Sequence, residues 1–396
     1  MFGGIQITPA RIRRALLDKT PLGRLLVGQK TKEEMGVRVT SAAVDSRIPS
    51  YECPFVEPAA YHPIFDREEF ERIAPVFGSD EDREYVFGRV TKYHHGARFT
   101  SRRMDVVVLE GAEVSFPRGA VLLNGRIVDE ATIAIGSFLI PSIYQEVFSG
   151  PVVDLPGEYG MLPIQYWTAY GHWTTDVLPR LEALRASPMP AGVKLLMPEG
   201  LRGFNRAMLK AAGVREEDCV FKPNARYRVE KLWLPTRGCE YSNIHPRCIR
   251  WLRSEVLPRV EVGERKRRIY ISREDVPFRR VVNEADIFAQ LQPLGFEKLV
   301  NTQHGWEDQA RIFAESEVVV GPHGTNMANS IYSAPGTVVI EMFAANHIEG
   351  SWSLAGKIVG SQYGVVMGRE VGKGVNAHLW IDPAKVLQAL KMAGIS

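Results

Sequence analysis

The 396-residue chain is poor in several things at once. It has four cysteines, Cys53, Cys219, Cys239 and Cys248, with no CxxC pair and none of the spacings that close around zinc. That excludes a disulfide-built scaffold and a sequence-local zinc site, and reduced thiols in a cytosolic compartment are the simplest reading. No apolar run is long enough to cross a bilayer, and no secretory pattern opens the sequence, so the expectation is a cytoplasmic protein. Charge of one sign is missing too: 49 basic residues against 46 acidic ones give a net charge of +3. That balance argues against a nucleic-acid partner and leaves only local basic clusters to hold phosphates. Internal repeats and low-complexity segments are absent. No G-x-G-x-x-G follows a first strand, which sets aside a nicotinamide-dependent oxidoreductase.

What the chain does have is length and alternation. A chain of 396 residues exceeds the usual single core, so two domains are expected. Residues 1–84 are rich in Pro, Tyr and charge and read as an irregular extension. Near its start, "ITPARIRRALLDKTPLGRLL" alternates Ile12, Leu16 and Leu17 with Arg11, Arg13 and Arg14. Such a segment packs on its own domain or lies peripherally on an anionic membrane face. A first domain, 85–240, opens with meander-like strands, "MDVVVLEGAEV" and "AVLLNGRIV", and passes after Leu162 into alternating helices and strands. A second, 241–396, repeats that rhythm from "RIYISR" through "EVVVG" and "TVVIEMF" to "DPAKVLQALKMAG", a helix capped by Asp382. Continuous apolar strands between helices predict an α/β fold with parallel sheets covered on both faces.

In open α/β sheets ligands sit beyond the carboxyl ends of the strands. That rule selects Arg273, His323-Gly324 and Glu341. In "EVVVGPHGTNMANS", Gly321 and Gly324 allow close backbone approach, and the helix that follows begins with unpaired N–H groups. His323, Thr325 and Asn326 add donors for a phosphate. The plainer reading is a strand-to-helix turn with Thr325 or Asn326 as its cap. Arg273, with Arg279 and Arg280 soon after, can clamp a diphosphate or sit in a solvated loop. Asn283-Glu284, with Asp286, has the pattern of a helix start. Glu341 ends an apolar strand, where a carboxylate can accept from both hydroxyls of a ribose. His172 and Asp176 are four apart on a helix and share a face, which suits a base and its orienting carboxylate as well as a buried histidine. Asp80-Glu81-Asp82 matches a D-x-D pattern but precedes a predicted strand, so no metal site is expected.

Taken in order, "HWTTDVLPRL", "ISREDVPFRRVVNE", "EDQARIFAESEVVVGPHG" and "PGTVVIEMF" resemble glycosyltransferase family 61, also described as capsular polysaccharide biosynthesis proteins. The resemblance runs from about Gly111 to Phe343 and is strongest after Arg268. It implies a GT-B-like fold, in which two Rossmann-type domains face a cleft. It also implies inverting transfer from a sugar nucleotide, commonly UDP-linked, to a glycan hydroxyl in bacterial surface polysaccharide synthesis, without cofactor or metal. His172 would take the acceptor proton with Asp176 holding its ring, and the exchange of those two roles stays open. Arg273, the His323-Gly324 turn and the helix behind it would meet the leaving group. A non-catalytic nucleotide-sugar or glycan-binding protein on the same scaffold is the alternative. The chain departs from the family loop His-Gly-Ala-Gly-Leu-Thr-Asn at Thr325 and Asn326, which predicts a side chain where backbone would approach the donor.

Overall fold

A computed structural model of the chain describes residues 32–39, 55–93, 96–132, 140–163, 165, 167–239, 243–374 and 376–396. The basic, amphipathic N-terminal stretch and Cys53 lie outside them. Among the described residues, no helix is long and apolar enough to cross a membrane.

Two sheets organise the α/β fold. The first is mixed. Its strands are β1 (Gly36–Val37), β2 (Ala60–Phe65), β3 (Met104–Ser115), β4 (Ala120–Leu123), β5 (Arg126–Val128), β6 (Val152–Gly160), β7 (Lys194–Pro198), β8 (Cys219–Lys222) and β9 (Arg226–Pro235). They lie in the order β1-β5-β4-β3-β9-β6-β7-β8, with β2 paired to β3. The meander β3-β4-β5 is antiparallel, as its Gly and Asn turns predict, whereas β9, β6, β7 and β8 run parallel. The expected meander and the expected parallel strands therefore share one mixed sheet. The antiparallel β3-β9 pairing joins its meander to its crossover region.

The second sheet is wholly parallel. It contains β10 (Arg267–Ser272), β11 (Phe296–Val300), β12 (Ser316–Pro322), β13 (Val338–Phe343) and β14 (Gln362–Met367), in the order β11-β10-β12-β13-β14. Val318, Val319 and Val320 are all fully buried, because helices cover both faces and leave no side for polar alternation. This strand order reverses between β10 and β12, so the crevice at their carboxyl ends is the sheet's ligand position.

Within residues 55–84, expected to be irregular, Ala60–Phe65 joins the first sheet, and Glu69–Glu71 pairs with Arg98–Thr100 in a small separate sheet. Beyond β2, the segment pairs Phe77 with Gly364 of β14 and enters helix α1 (Asp80–Tyr93). Asp80-Glu81-Asp82 therefore starts a helix and does not precede a strand. Its three carboxylates complement the positive end of the helix dipole, and Asp82 accepts from Met367 N at 3.0 Å and from Lys385 at 2.8 Å. The chain thus runs from one sheet to the other before either half is complete. One apolar cluster spans both, taking Val107 and Leu232 from the first and Val319 and Val339 from the second.

Candidate active site

The histidine-bearing helix is irregular for a local reason. Tyr170–His172 is α-helical and Trp173–Val177 is a π turn, in which Leu178 N bonds Trp173 O at 2.9 Å. Pro179 has no N–H to return to the preceding turn. The carbonyls this releases find other donors: Cys239 Sγ reaches Thr175 O at 3.4 Å, and Arg180 Nε reaches Asp176 O at 2.6 Å. Trp173 is fully buried and anchors the turn from behind. His172 Nδ1 meets Asp176 Oδ2 at 2.7 Å, leaving Nε2 as the ring's other polar atom. Burial works against charge on the imidazole, but the Asp176 carboxylate outweighs it and raises the His172 pKa above the ordinary value. Burial would likewise push Asp176 up, yet its bond to His172 holds it below the usual carboxylate range.

On the other side stand the loops after β10 and β12. His323 is buried, with Nδ1 2.6 Å from Glu341 Oε1, and Tyr363 donates to Glu341 Oε2 at 2.5 Å. Glu341 has no exposed surface. The expected ribose contact is therefore corrected: both oxygens of Glu341 are already engaged, and its place is behind His323. Burial disfavours charge on His323, but Glu341 overrides it and lifts the pKa to about 9. Beside it, His347 is pushed down to about 4, first by burial and then by the charge on His323.

Gly321 also has a different role from the one expected. A Cβ there would lie 2.8 Å from Cβ of Ile271, so the glycine lets β12 and β10 pack closely and does not face a ligand. The helix cap is neither Thr325 nor Asn326. Thr325–Tyr332 is a 3-10 helix whose N-cap is Gly324, without a side-chain cap bond. Thr325 lies across from the histidine helix, and a Cβ on Gly171 would come within 3.1 Å of its methyl. Asn326, expected to project toward a donor, has its Nδ2 buried without a partner, and its carbonyl accepts from Asn301 at 3.4 Å. Asn283 is not a side-chain cap either, because its amide pairs with Ile381 of the chain's last segment.

Arg273 is buried immediately behind Gly324. Its Nε and Nη2 reach Phe278 O at 3.4 and 3.3 Å, while Nη1 has no partner. Burial, with Arg279 nearby, lowers its pKa to about 10, so it remains cationic at neutral pH. Arg279 adopts φ +53, in the left-handed region that non-glycine residues rarely enter. Arg280 turns away and bonds its own loop through Val276 O and Glu274 O.

These pieces enclose a cleft of about 340 Å³. One side is formed by Gly171, His172, Thr175 and Asp176, and the other by Arg279, His323, Gly324 and Thr325. His172 and His323, 151 positions apart in the chain, thus share one gap, with Arg273 held behind its wall. The rest of the lining includes His347, Glu349, Ser351 and Trp352, which the motif reading missed. They follow β13 in "ANHIEGSW", and the same rule of strand carboxyl ends would have found them. A larger hollow of 760 Å³ borders Glu284 and Lys298, but those two groups already satisfy each other at 2.9 Å.

The cleft is braced by a buried chain of amides. Gln309 donates to Asn301 O at 2.9 Å and accepts from Asn329 at 2.8 Å, and Tyr170 donates to Asn329 from the opposite wall. The glutamine in the third sequence motif is therefore a brace between the halves. Residues 170–340 match the family model described as Glycosyltransferase 61, which begins at this tyrosine and ends one residue before Glu341. No curated protein matches the chain.

Proposed function

We propose that the chain, whose residues 170–340 match the glycosyltransferase family 61 model, is a glycosyltransferase that moves a sugar, with inversion, from a nucleoside diphosphate donor to a glycan hydroxyl. The observation carrying this reading is the shared cleft, with an oriented histidine on one wall and a cationic turn on the other. The parallel sheet would hold the donor at the end where its strand order reverses. Under this reading the two halves act as the facing domains of a GT-B-like enzyme. A UDP-sugar is the proposed donor, and a bacterial surface polysaccharide the proposed setting.

In the reaction, Nε2 of His172 takes the proton of the acceptor hydroxyl while Asp176 steadies the ring and its developing charge. The acceptor oxygen bonds to the anomeric carbon from the face opposite the diphosphate, and the bond from that carbon to the phosphate oxygen breaks. Charge appearing on the leaving diphosphate is met by His323, by Arg279 and by Arg273 behind Gly324. Such fixed cations and dipoles need no rearrangement as the charge develops.

The test is calorimetry with a panel of nucleoside diphosphates and sugar nucleotides, followed by product analysis. UDP should bind the wild type, and Arg273→Met should weaken it at least tenfold, a loss of about 1.4 kcal/mol, with circular dichroism unchanged. His172→Ala should retain binding and lose transfer by roughly 100-fold or more. Absence of binding across the panel would sink the proposal, and binding without turnover would favour a non-catalytic sugar-nucleotide receptor.

A further inference from the structure

We propose that His323, His347 and Glu349 bind one first-row divalent cation, with zinc and manganese the best candidates. Their ligand atoms lie within 4.8 Å of one another, and among the described residues this is the one group of three or more such side chains so placed. Neither histidine stands at a spacing that sequence would flag, because the fold brings residue 323 to the loop that carries 347 and 349.

Three features make this more than proximity. First, the inner histidine is already oriented. Nδ1 of His323 is fixed by Glu341, and Glu341 by Tyr363, which directs Nε2 toward Glu349 Oε2 at 3.7 Å. A carboxylate behind a ligating histidine is the usual way of setting ring direction and strengthening the donor nitrogen. Second, the two imidazoles are 5.0 Å apart and tilted by 56°, so their edges can converge on one point without the rings stacking face to face. Third, the group lines the cleft, leaving positions open for water or substrate oxygens. Two imidazoles and one carboxylate with open positions is a recognised catalytic donor set.

Metal–ligand bonds of about 2.0–2.1 Å require the donor atoms to close to roughly 3.3 Å. The movement falls to Glu349, whose side chain is 40% exposed, more than to His323, which is held from behind. Arg273 and Arg279 oppose a cation here, and Glu341 and Glu349 offset them. His323 must release its proton on binding, so the cation competes with a proton for one place. A cation held by these residues would supply positive charge for a bound diphosphate. That role rests on the donor reading above, but the existence of the site does not.

The experiment uses the full chain, stripped with chelator and dialysed. Calorimetry with Zn²⁺ and Mn²⁺, and the visible absorption of added Co²⁺, should report one cation per chain. Mg²⁺ should bind more weakly, because it prefers oxygen ligands. His347→Ala and Glu349→Gln should each reduce Zn²⁺ affinity at least tenfold, with circular dichroism and thermal midpoint near wild type. No stoichiometric binding, or binding unchanged in both variants, overturns the proposal. UDP titrated into the stripped chain separates the two readings: nucleotide binding without any cation site ends only this one. A cation site without nucleotide binding ends only the donor reading.

Discussion

Gly324 is a glycine because of what stands behind it. Its φ of 161 is extended backbone open to any residue, but a Cβ would collide with Nη1 of Arg273. Gly324→Ala should therefore push the guanidinium out of place. The expected result is a loss of UDP affinity of about tenfold, or roughly 1.4 kcal/mol, measured by calorimetry, with only a small change in melting temperature. Unchanged affinity would mean that Arg273 contributes nothing to the donor site. Glu341 teaches the complementary lesson at this scale. Its strand position was readable, but the direction of its carboxylate was not. Parallel register sets Gly321 beside Glu341 and bonds His323 N to Met342 O at 2.9 Å, which places the ring over the acid. No local pattern links residues 18 positions apart in that way.

Among the elements, the helix carrying His172 is the one whose irregularity bears on chemistry. The i, i+4 spacing already put His172 and Asp176 on one face, and the π turn keeps them paired while its freed carbonyls go to Cys239 and Arg180. Here the pH dependence has a definite sign. A general base must be deprotonated, so kcat/KM falls as pH drops through the pKa of His172. Because Asp176 raises that value, the acid limb should lie above the ordinary imidazole value of about 6.5. Asp176→Asn removes the nearer charge and leaves burial opposed only by Glu349, so the limb should move to lower pH while maximal activity falls. A pH–rate profile for both proteins checks this, and a limb unmoved by the substitution would show that another group titrates. By contrast, the element after Gly324 is helical as expected but differs in form and cap. Its polar run predicted a helix with a side-chain cap, whereas the chain forms a 3-10 helix whose side chains serve tertiary contacts, among them Asn329 to Gln309.

At the scale of the whole molecule, the two sheets are not independent beads. The segment containing Phe77 leaves the first sheet, pairs with Gly364 of the second and continues into α1, and an apolar cluster joins both cores. Unfolding in urea should accordingly be a single transition that fluorescence and circular dichroism report together. Phe77→Ala should shift it by about 3–5 kcal/mol, the usual loss for a buried phenylalanine. Two well-separated transitions in the wild type would contradict this coupling.

By itself, the sequence determined the α/β class, four of the five strands of the second sheet, the Asp382 cap and the pairing of His172 with Asp176. These follow from apolar periodicity and from neighbours within about a turn of helix, which act over distances a linear pattern records. The Asp382 carboxylate does accept from Ala384 N, at 2.9 Å. Only the tertiary structure decided that the first sheet is mixed, that Glu341 backs His323 and that Gly321 spaces two strands. It alone brought His347 and Glu349 within reach of His323. Those outcomes depend on register between strands and on which loops meet at one sheet end, and register is set by packing among residues far apart in the chain.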